Sequence, residues 1–363
     1  MSLALAVAVA LAPAATAAAG ERAVPGDEVF GAVAQAVLEH RTANLVEGAA
    51  PSLAPLPVAG QVRLSIMRTH EETEIDAELT ARRLALAGMS EAYTGSTTQV
   101  DVESTTVDGD KVVAVLNETT ELAYKQIRGD EPPNTAFQSR HEAVFTAAPG
   151  GGWELTAMKP LDEGPNAVNQ PDAEVVDPGG ALPKEGESAD TREPATPSTG
   201  EKTTLAASYN YYEMANYAER HWKNYNKSYR RFSDVGGDCT NFISQALRAG
   251  GWAHDTGLYT DYRNWWYNSL NQSRSWVNVN YWASFALHSK RTYNLKNVYQ
   301  LARGDILQMD FSNNGSKDHS MITTYRSASG VPYLTYHSRD TYRKSVASIV
   351  ASNPRAIYYA FRT

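Results

Sequence analysis

Cysteine is nearly absent from this 363-residue chain: Cys239 stands alone. One cysteine cannot close an internal disulfide, and with no Cys-x-x-Cys pair and no His-Glu-x-x-His pattern a zinc site lacks its ligands. No metal and no cofactor are therefore expected. Runs of like charge are also missing, because the basic residues are dispersed along the chain, which argues against nucleic acid as a partner. Beyond the first nineteen residues no stretch is long and apolar enough to span a bilayer. Residues 1–19 are themselves apolar and uncharged, and Ala15-Thr16-Ala17 fits a small-x-small cleavage pattern. They read as a secretory signal peptide, the alternatives being an alanine-rich tail or an anchor. The expected location is extracellular and associated with the cell wall, with no integral membrane association once the signal is removed.

What is present divides the chain into segments. Residues 27–158 have the pattern of a small α+β domain. Phe30, Val33, Val37 and Leu38 recur at helical spacing, and Thr69-x-x-Glu72 resembles a capping box ahead of a second helix. The period then changes to two, with strands expected over Lys111–Tyr124, Phe137–Thr146 and Trp153–Met158. Helices on a curved antiparallel sheet are the expected result, with no catalytic spacing and with His40, His70 and His141 at the surface. Residues 160–202 hold seven prolines and ten acidic residues, which predicts an extended, self-repelling linker. Residues 202–363 carry a net charge of +10 and the rest of the chain −18. A basic segment outside the cell is drawn to anionic wall polymers.

Residues 203–363 carry the chemistry. Gly236-Gly237 supply an entry turn, Asp238 has the side chain of an N-cap, and Cys239 opens a helix whose apolar stripe runs through Phe242, Ile243, Ala246 and Leu247. A thiol in the first turn feels the positive end of the helix dipole, which favours thiolate. Buried filler is the competing account of a lone cysteine. Asp318-His319-Ser320 begins a strand, and a hairpin centred on Ala328 sets His319 directly opposite His337. That register would let His337 orient His319 while His319 deprotonates Cys239, with Asp340 as the second choice of orienter. Trp265-Trp266 lie among polar neighbours and would either hold a ring of the substrate or pack in the core.

Gly237-Asp238-Cys239-Thr240-Asn241-Phe242-Ile243-Ser244-Gln245, followed by Gly304-Asp305-Ile306 and Asp318-His319-Ser320, resembles the putative amidase domain family, related to NlpC/P60 and CHAP cysteine peptidases. The resemblance covers about residues 205–360. It implies a papain-like α+β domain with Cys239 as nucleophile, His319 as base and His337 as the third polar residue. Asp238 and Asn241 would support the site. The expected activity is hydrolysis of an amide bond, in peptidoglycan stem peptides or at the muramyl amide. Two rival readings are an amine-accepting acyltransferase using the same site and a non-catalytic wall-binding module.

Overall fold

The computed structural model describes residues 24–48, 62–171, 186–198, 200, 209–232 and 238–363. The expected signal peptide, the Gly236-Gly237 turn and the middle of the 160–202 segment lie outside these residues. In the N-terminal part, α1 (Asp27–Ala43), β1 (Val62–Leu64) and α2 (Ile66–Gly88) precede β2 (Tyr93–Asp108), β3 (Lys111–Tyr124), β4 (Asn134–Ala147) and β5 (Trp153–Pro160). In the C-terminal part come α3 (Tyr211–His221), α4 (Cys239–Ala249), α5 (Arg274–Val277), α6 (Val279–His288) and β6 (Tyr293–Leu295). They are followed by β7 (Ile306–Asp310), β8 (His319–Arg326), β9 (Pro332–Tyr336), β10 (Thr341–Ser345), α7 (Val346–Ser352) and β11 (Ile357–Arg362). The α+β expectation holds. No helix among the described residues is long and apolar enough to cross a membrane.

The N-terminal elements follow their periodicity. Phe30, Val33, Val37 and Leu38 of α1 pack on alternating residues of the sheet, among them Leu116, Phe145 and Leu155. Each such buried side chain contributes about 1.5–3 kcal/mol. Helix α2 starts earlier than the capping-box pattern indicates, because the Ser65 hydroxyl accepts from the Arg68 N–H at 3.1 Å. Glu72 is instead a buried carboxylate, held by Arg41 at 2.7 and 2.8 Å and by Arg68. His141 is not at the surface: it is 1% exposed and lies 2.8 Å from Glu118 Oε2.

The largest departure from the sequence reading is that the two parts share one sheet. Its strands run β1-β5-β4-β10-β9-β8-β7-β11-β6, with β3 beside β4 and β2 beside β3. The joint is the antiparallel pairing of β4 with β10, Phe137 opposite Thr341 and Ala136 opposite Tyr342. The Tyr124 hydroxyl donates to Arg343 O at 3.0 Å and accepts from Ser345 N–H at 3.1 Å. A common core of Leu79, Tyr93, Tyr124, Phe137, Val331 and Tyr333 closes over it.

Where it is described, the 160–202 segment is also not a solvated linker. Pro165 to Gln170 are buried. Arg339 donates to Pro165 O at 2.9 Å, Lys344 to Asn166 O at 2.9 Å and Arg82 to Val168 O at 2.8 Å. Further on, Ala189 N–H bonds Tyr358 O and Asp190 N–H bonds Lys296 O, both at 2.8 Å. Composition predicted an unfolded segment because the cations and carbonyls that receive it are far away in sequence.

A shared core predicts shared unfolding. Phe137 is 3% exposed at the joint, so Phe137→Ala is expected to cost about 3–5 kcal/mol. Chemical denaturation followed by tryptophan fluorescence and by far-UV circular dichroism should give one coincident transition, in wild type and variant alike. Two separated transitions would show that the parts fold independently.

Candidate functional site

Helix α4 positions the cysteine because its apolar stripe is pinned to the sheet. Phe242, Ile243, Ala246 and Leu247 pack with Ile306, Ile322 and the tryptophans Trp252, Trp265, Trp276 and Trp282. Trp265 is fully buried and its indole N–H donates to Ser244 Oγ at 3.1 Å, which makes it core rather than a binding platform. Trp266 is half-buried and donates to Gly257 O at 3.1 Å. Asn241 is also structural: its amide donates to Arg230 O at 3.0 Å and Asp238 Oδ1 at 2.8 Å, and its carbonyl accepts from Trp276 Nε1 at 2.8 Å.

Asp238 does not cap the helix with its side chain. Its carboxylate lies 2.7 Å from His337 Nδ1 through Oδ2, while Oδ1 also accepts from Phe232 N–H at 3.0 Å. Asp238 and His337 are each 1% exposed. His337 Nε2 faces the His221 carbonyl at 2.9 Å. Both ring nitrogens thus face acceptors, and both bonds form together only when each nitrogen carries a hydrogen. The ring is stacked between Tyr225 and Phe242, each with its centroid 3.9 Å away. Asp340 accepts from the Tyr225 hydroxyl at 2.8 Å, so it holds the stacking ring and does not contact His319 by a hydrogen bond. Burial raises the Asp340 pKa, with the neighbouring His337 acting in the opposite sense.

The hairpin register differs from the expected one by a single residue. Ile322 pairs with Thr335 and Thr323 with Leu334, with an irregularity between Thr323 and Tyr325. A one-residue change turns alternate side chains to the other face. His319 accordingly shares the face of Met321, Leu334 and Tyr336, its ring edge-on to Tyr336 at 5.2 Å. His337 lies on the α4 face, so it does not orient His319. His319 is 1% exposed, and its Nε2 is buried without a hydrogen-bond partner among the described residues. Burial pushes its pKa down to about 3, and the charges of Arg339 and His337 add to the effect.

Cys239 is 4% exposed. Its sulfur lies 3.7 Å from Thr240 Oγ1 and accepts from the Ser320 backbone N–H, so it rests against the peptide that joins His319 to Ser320. No hydrogen bond links it to either imidazole. Burial pushes the thiol up to about 11; the Ser320 and Thr240 bonds offset part of this, and the Asp238 charge adds to it. The expected depression by the helix dipole is overturned on magnitude. A helix terminus is worth roughly 0.3–1 kcal/mol, whereas a shift of two units is about 3 kcal/mol. The resting pair is therefore a neutral thiol and a neutral imidazole.

Several residues of this neighbourhood escaped the sequence reading. Thr240 and Ser320 hydroxyls lie 3.0 Å apart, and Gln308 donates to Ser320 at 3.1 Å, forming a buried polar chain behind the thiol. Gln308 stands two residues after Ile306 on a strand that reads as apolar, a weak signal. Ser338, which accepts from Asp238 N–H at 3.2 Å, and Arg339 both have left-handed backbones, with φ of 64° and 60°. Each costs on the order of 1 kcal/mol or more and is held by the surrounding bonds.

Residues 208–361 match the model of a family described as "Putative amidase domain". The uncharacterized protein YhbB of Bacillus subtilis (strain 168) is 33% identical over 162 residues, 43% of this chain and 50% of that protein. The uncharacterized protein YjcM of the same organism is 31% identical over 147 residues, 37% of this chain and 32% of that protein. The matches thus span half or less of these curated relatives. The solved intermembrane space region of chloroplast protein ARC6 aligns with 38% of this chain and 98% of its own, at a TM-score of 0.25 and 17% identity, too slight a likeness to bear on the fold. The family match points the C-terminal region to amide hydrolysis.

Two outcomes follow. Asp238→Ala leaves His337, Asn241 and the Phe232 N–H without their buried acceptor and should cost about 3 kcal/mol or more, measured by urea denaturation. Iodoacetamide labelling of Cys239 in the substrate-free protein should be at least tenfold slower than that of free cysteine at pH 7, because the raised thiol pKa leaves little thiolate there. The rate should climb steadily from pH 7 to pH 10. A plateau already reached at pH 6–7 would contradict a raised pKa.

Proposed function

We propose that the C-terminal region is a cysteine-dependent amide hydrolase, related to the NlpC/P60 and CHAP enzymes, that acts on peptidoglycan outside the cell. The observation that carries this reading is the meeting of the chain's sole cysteine with the His319–Ser320 peptide, where His319 keeps a buried Nε2 without a partner. Of the two nearby imidazoles, His337 has both nitrogens engaged, so His319 is the one with a lone pair to give. The amidase family match supports the bond type. The net charge of +10 over residues 202–363 supports an anionic wall polymer as the target.

In this mechanism the Cys239 thiol gives its proton to His319 as sulfur bonds to the amide carbonyl carbon. The Cys239 backbone N–H, at the start of α4, helps to hold the oxyanion. The C–N bond then breaks, the imidazolium returns the proton to the leaving amine, and water hydrolyses the thioester. No hydrogen bond joins thiol and imidazole in the resting arrangement, and the His319 side chain lies on the face of β8 turned away from α4, so turnover requires a local rearrangement of the β8 backbone that brings His319 to the sulfur. Asp238 and His337 act as positioning residues that anchor the start of α4.

The test is release of new amino groups from purified cell walls. Cys239→Ala and His319→Ala should each lower the rate by about a thousandfold or more, with folding verified by circular dichroism. Undiminished release by Cys239→Ala would overturn the mechanism.

A further inference from the structure

A cleft with a cavity volume of about 550 Å³ opens beside the start of α4, and its floor includes Asp238 and Ser338. One wall belongs to the C-terminal part and carries Lys223, Tyr225 and Arg231, with Arg339 and Asp340 also in the lining but engaged by Pro165 O and the Tyr225 hydroxyl. The facing wall comes from the N-terminal part, with Gln138, Ser139 and Arg140 of β4 followed by Asp162 and Glu163; Arg140 is offset by its ion pair with Glu103 at 2.8 Å, which leaves the acidic pair in excess. The two walls differ in charge. Lys223 and Arg231 are exposed cations that make no ion pair among the described residues; their contacts are with aromatic rings, Lys223 Nζ 5.1 Å from Trp222 and the Arg231 guanidinium 3.6 Å from Tyr225. Glu163 is exposed and likewise makes no ion pair among the described residues, and Asp162 accepts from the Arg140 backbone N–H through one oxygen.

A ligand carrying charge of one sign only would meet repulsion from one of these walls. A dipolar ligand satisfies both. The cleft offers no open aromatic face for a sugar or a base, because Tyr225 is covered by His337 on one side at 3.9 Å and by Arg231 at 3.6 Å. We propose that the cleft between the two parts is the substrate subsite and takes a short zwitterionic peptide. Its carboxylate faces Lys223 and Arg231, and its ammonium group faces Asp162 and Glu163. This rests on the amide-hydrolase reading and names the end groups of its substrate. The N-terminal part then acts as the second wall of the site and selects the ligand.

Isothermal titration of the full chain bearing Cys239→Ala tests this without turnover. The probes are tetra-alanine, its N-acetyl form and its C-terminal amide. The free peptide should bind at least tenfold more tightly than either blocked form. The double variant Lys223→Glu/Arg231→Glu should abolish the advantage over the amide and keep that over the acetyl form, and Glu163→Lys should weaken the latter. All three positions are exposed, but Arg231 also covers Tyr225, so Lys223→Glu alone, which leaves that contact in place, is measured beside the double variant and should reduce the advantage over the amide at an unchanged melting temperature. Equal affinity for the three peptides, no measurable binding of any, or preferences unmoved by the charge reversals would overturn the assignment. Cleavage retained by Cys239→Ala would instead overturn the cysteine mechanism and leave the binding result standing.

Discussion

The buried hydrogen bond between Asp238 and His337 is the constraint on which the candidate site depends. It joins the residue before Cys239 to the residue after β9, and so fixes where α4 starts relative to the sheet. Both groups are 1% exposed and would be costly if left unpaired, but each nitrogen of the His337 ring has a partner and the carboxylate has three. Tyr225 and Phe242 complete the enclosure by stacking, and Asp340 holds Tyr225 in place. An Asp–His pair beside a cysteine invites reading as base and orienter. Here the hydrogen-bond stoichiometry assigns it to anchoring.

That assignment separates two features that are easily run together, a site's geometry and its readiness. The thiol and the free imidazole are brought to neighbouring peptides, yet burial holds both neutral, the thiol near 11 and the imidazole near 3. Desolvation acts on the two groups in opposite directions and to the same end, disfavouring thiolate and imidazolium alike. An ion pair between them would relieve both costs at once, since each charge would stabilise the other. On the proposed mechanism such a pair forms only if β8 rearranges, because the His319 side chain lies on the face turned away from α4. The polar chain of Thr240, Ser320 and Gln308 behind the sulfur supplies hydrogen-bonding groups without adding a charge.

How far the sequence could lead differs from one feature to the next. The helices and strands of the N-terminal part were legible because a period of 3.6 and then of 2 writes itself into Phe30, Val33 and Val37 and into the alternation of β3. Cys239 at a helix start and His319 at a strand start were legible from local pattern. The facing of the two histidines was not, because it depends on the parity of the register. An irregularity between Thr323 and Tyr325 changes that parity, and no residue there announces it. The helix dipole pointed to a reactive thiol, but the depth of burial that outweighs it is a property of the packed tryptophans and the sheet. The segment after β5 was misjudged for a related reason: its composition is that of a linker, while Arg82, Arg339 and Lys344 receive its carbonyls from distant parts of the chain.

The continuous sheet bears directly on what the N-terminal part can be. Two units joined by a free linker would each need a function, and a unit without catalytic spacing would be left as a spacer. Pairing of β4 with β10 makes that account untenable, since β10 follows His337 by only a few residues and carries the strain of Ser338 and Arg339 at its entrance. The strand that fixes the end of the candidate site is therefore itself fixed by the N-terminal part. Removing that part would expose Val331 and Tyr333, which are now buried, and would leave the edge of β10 unpaired. The N-terminal part is consequently a structural condition of the site before it is anything else.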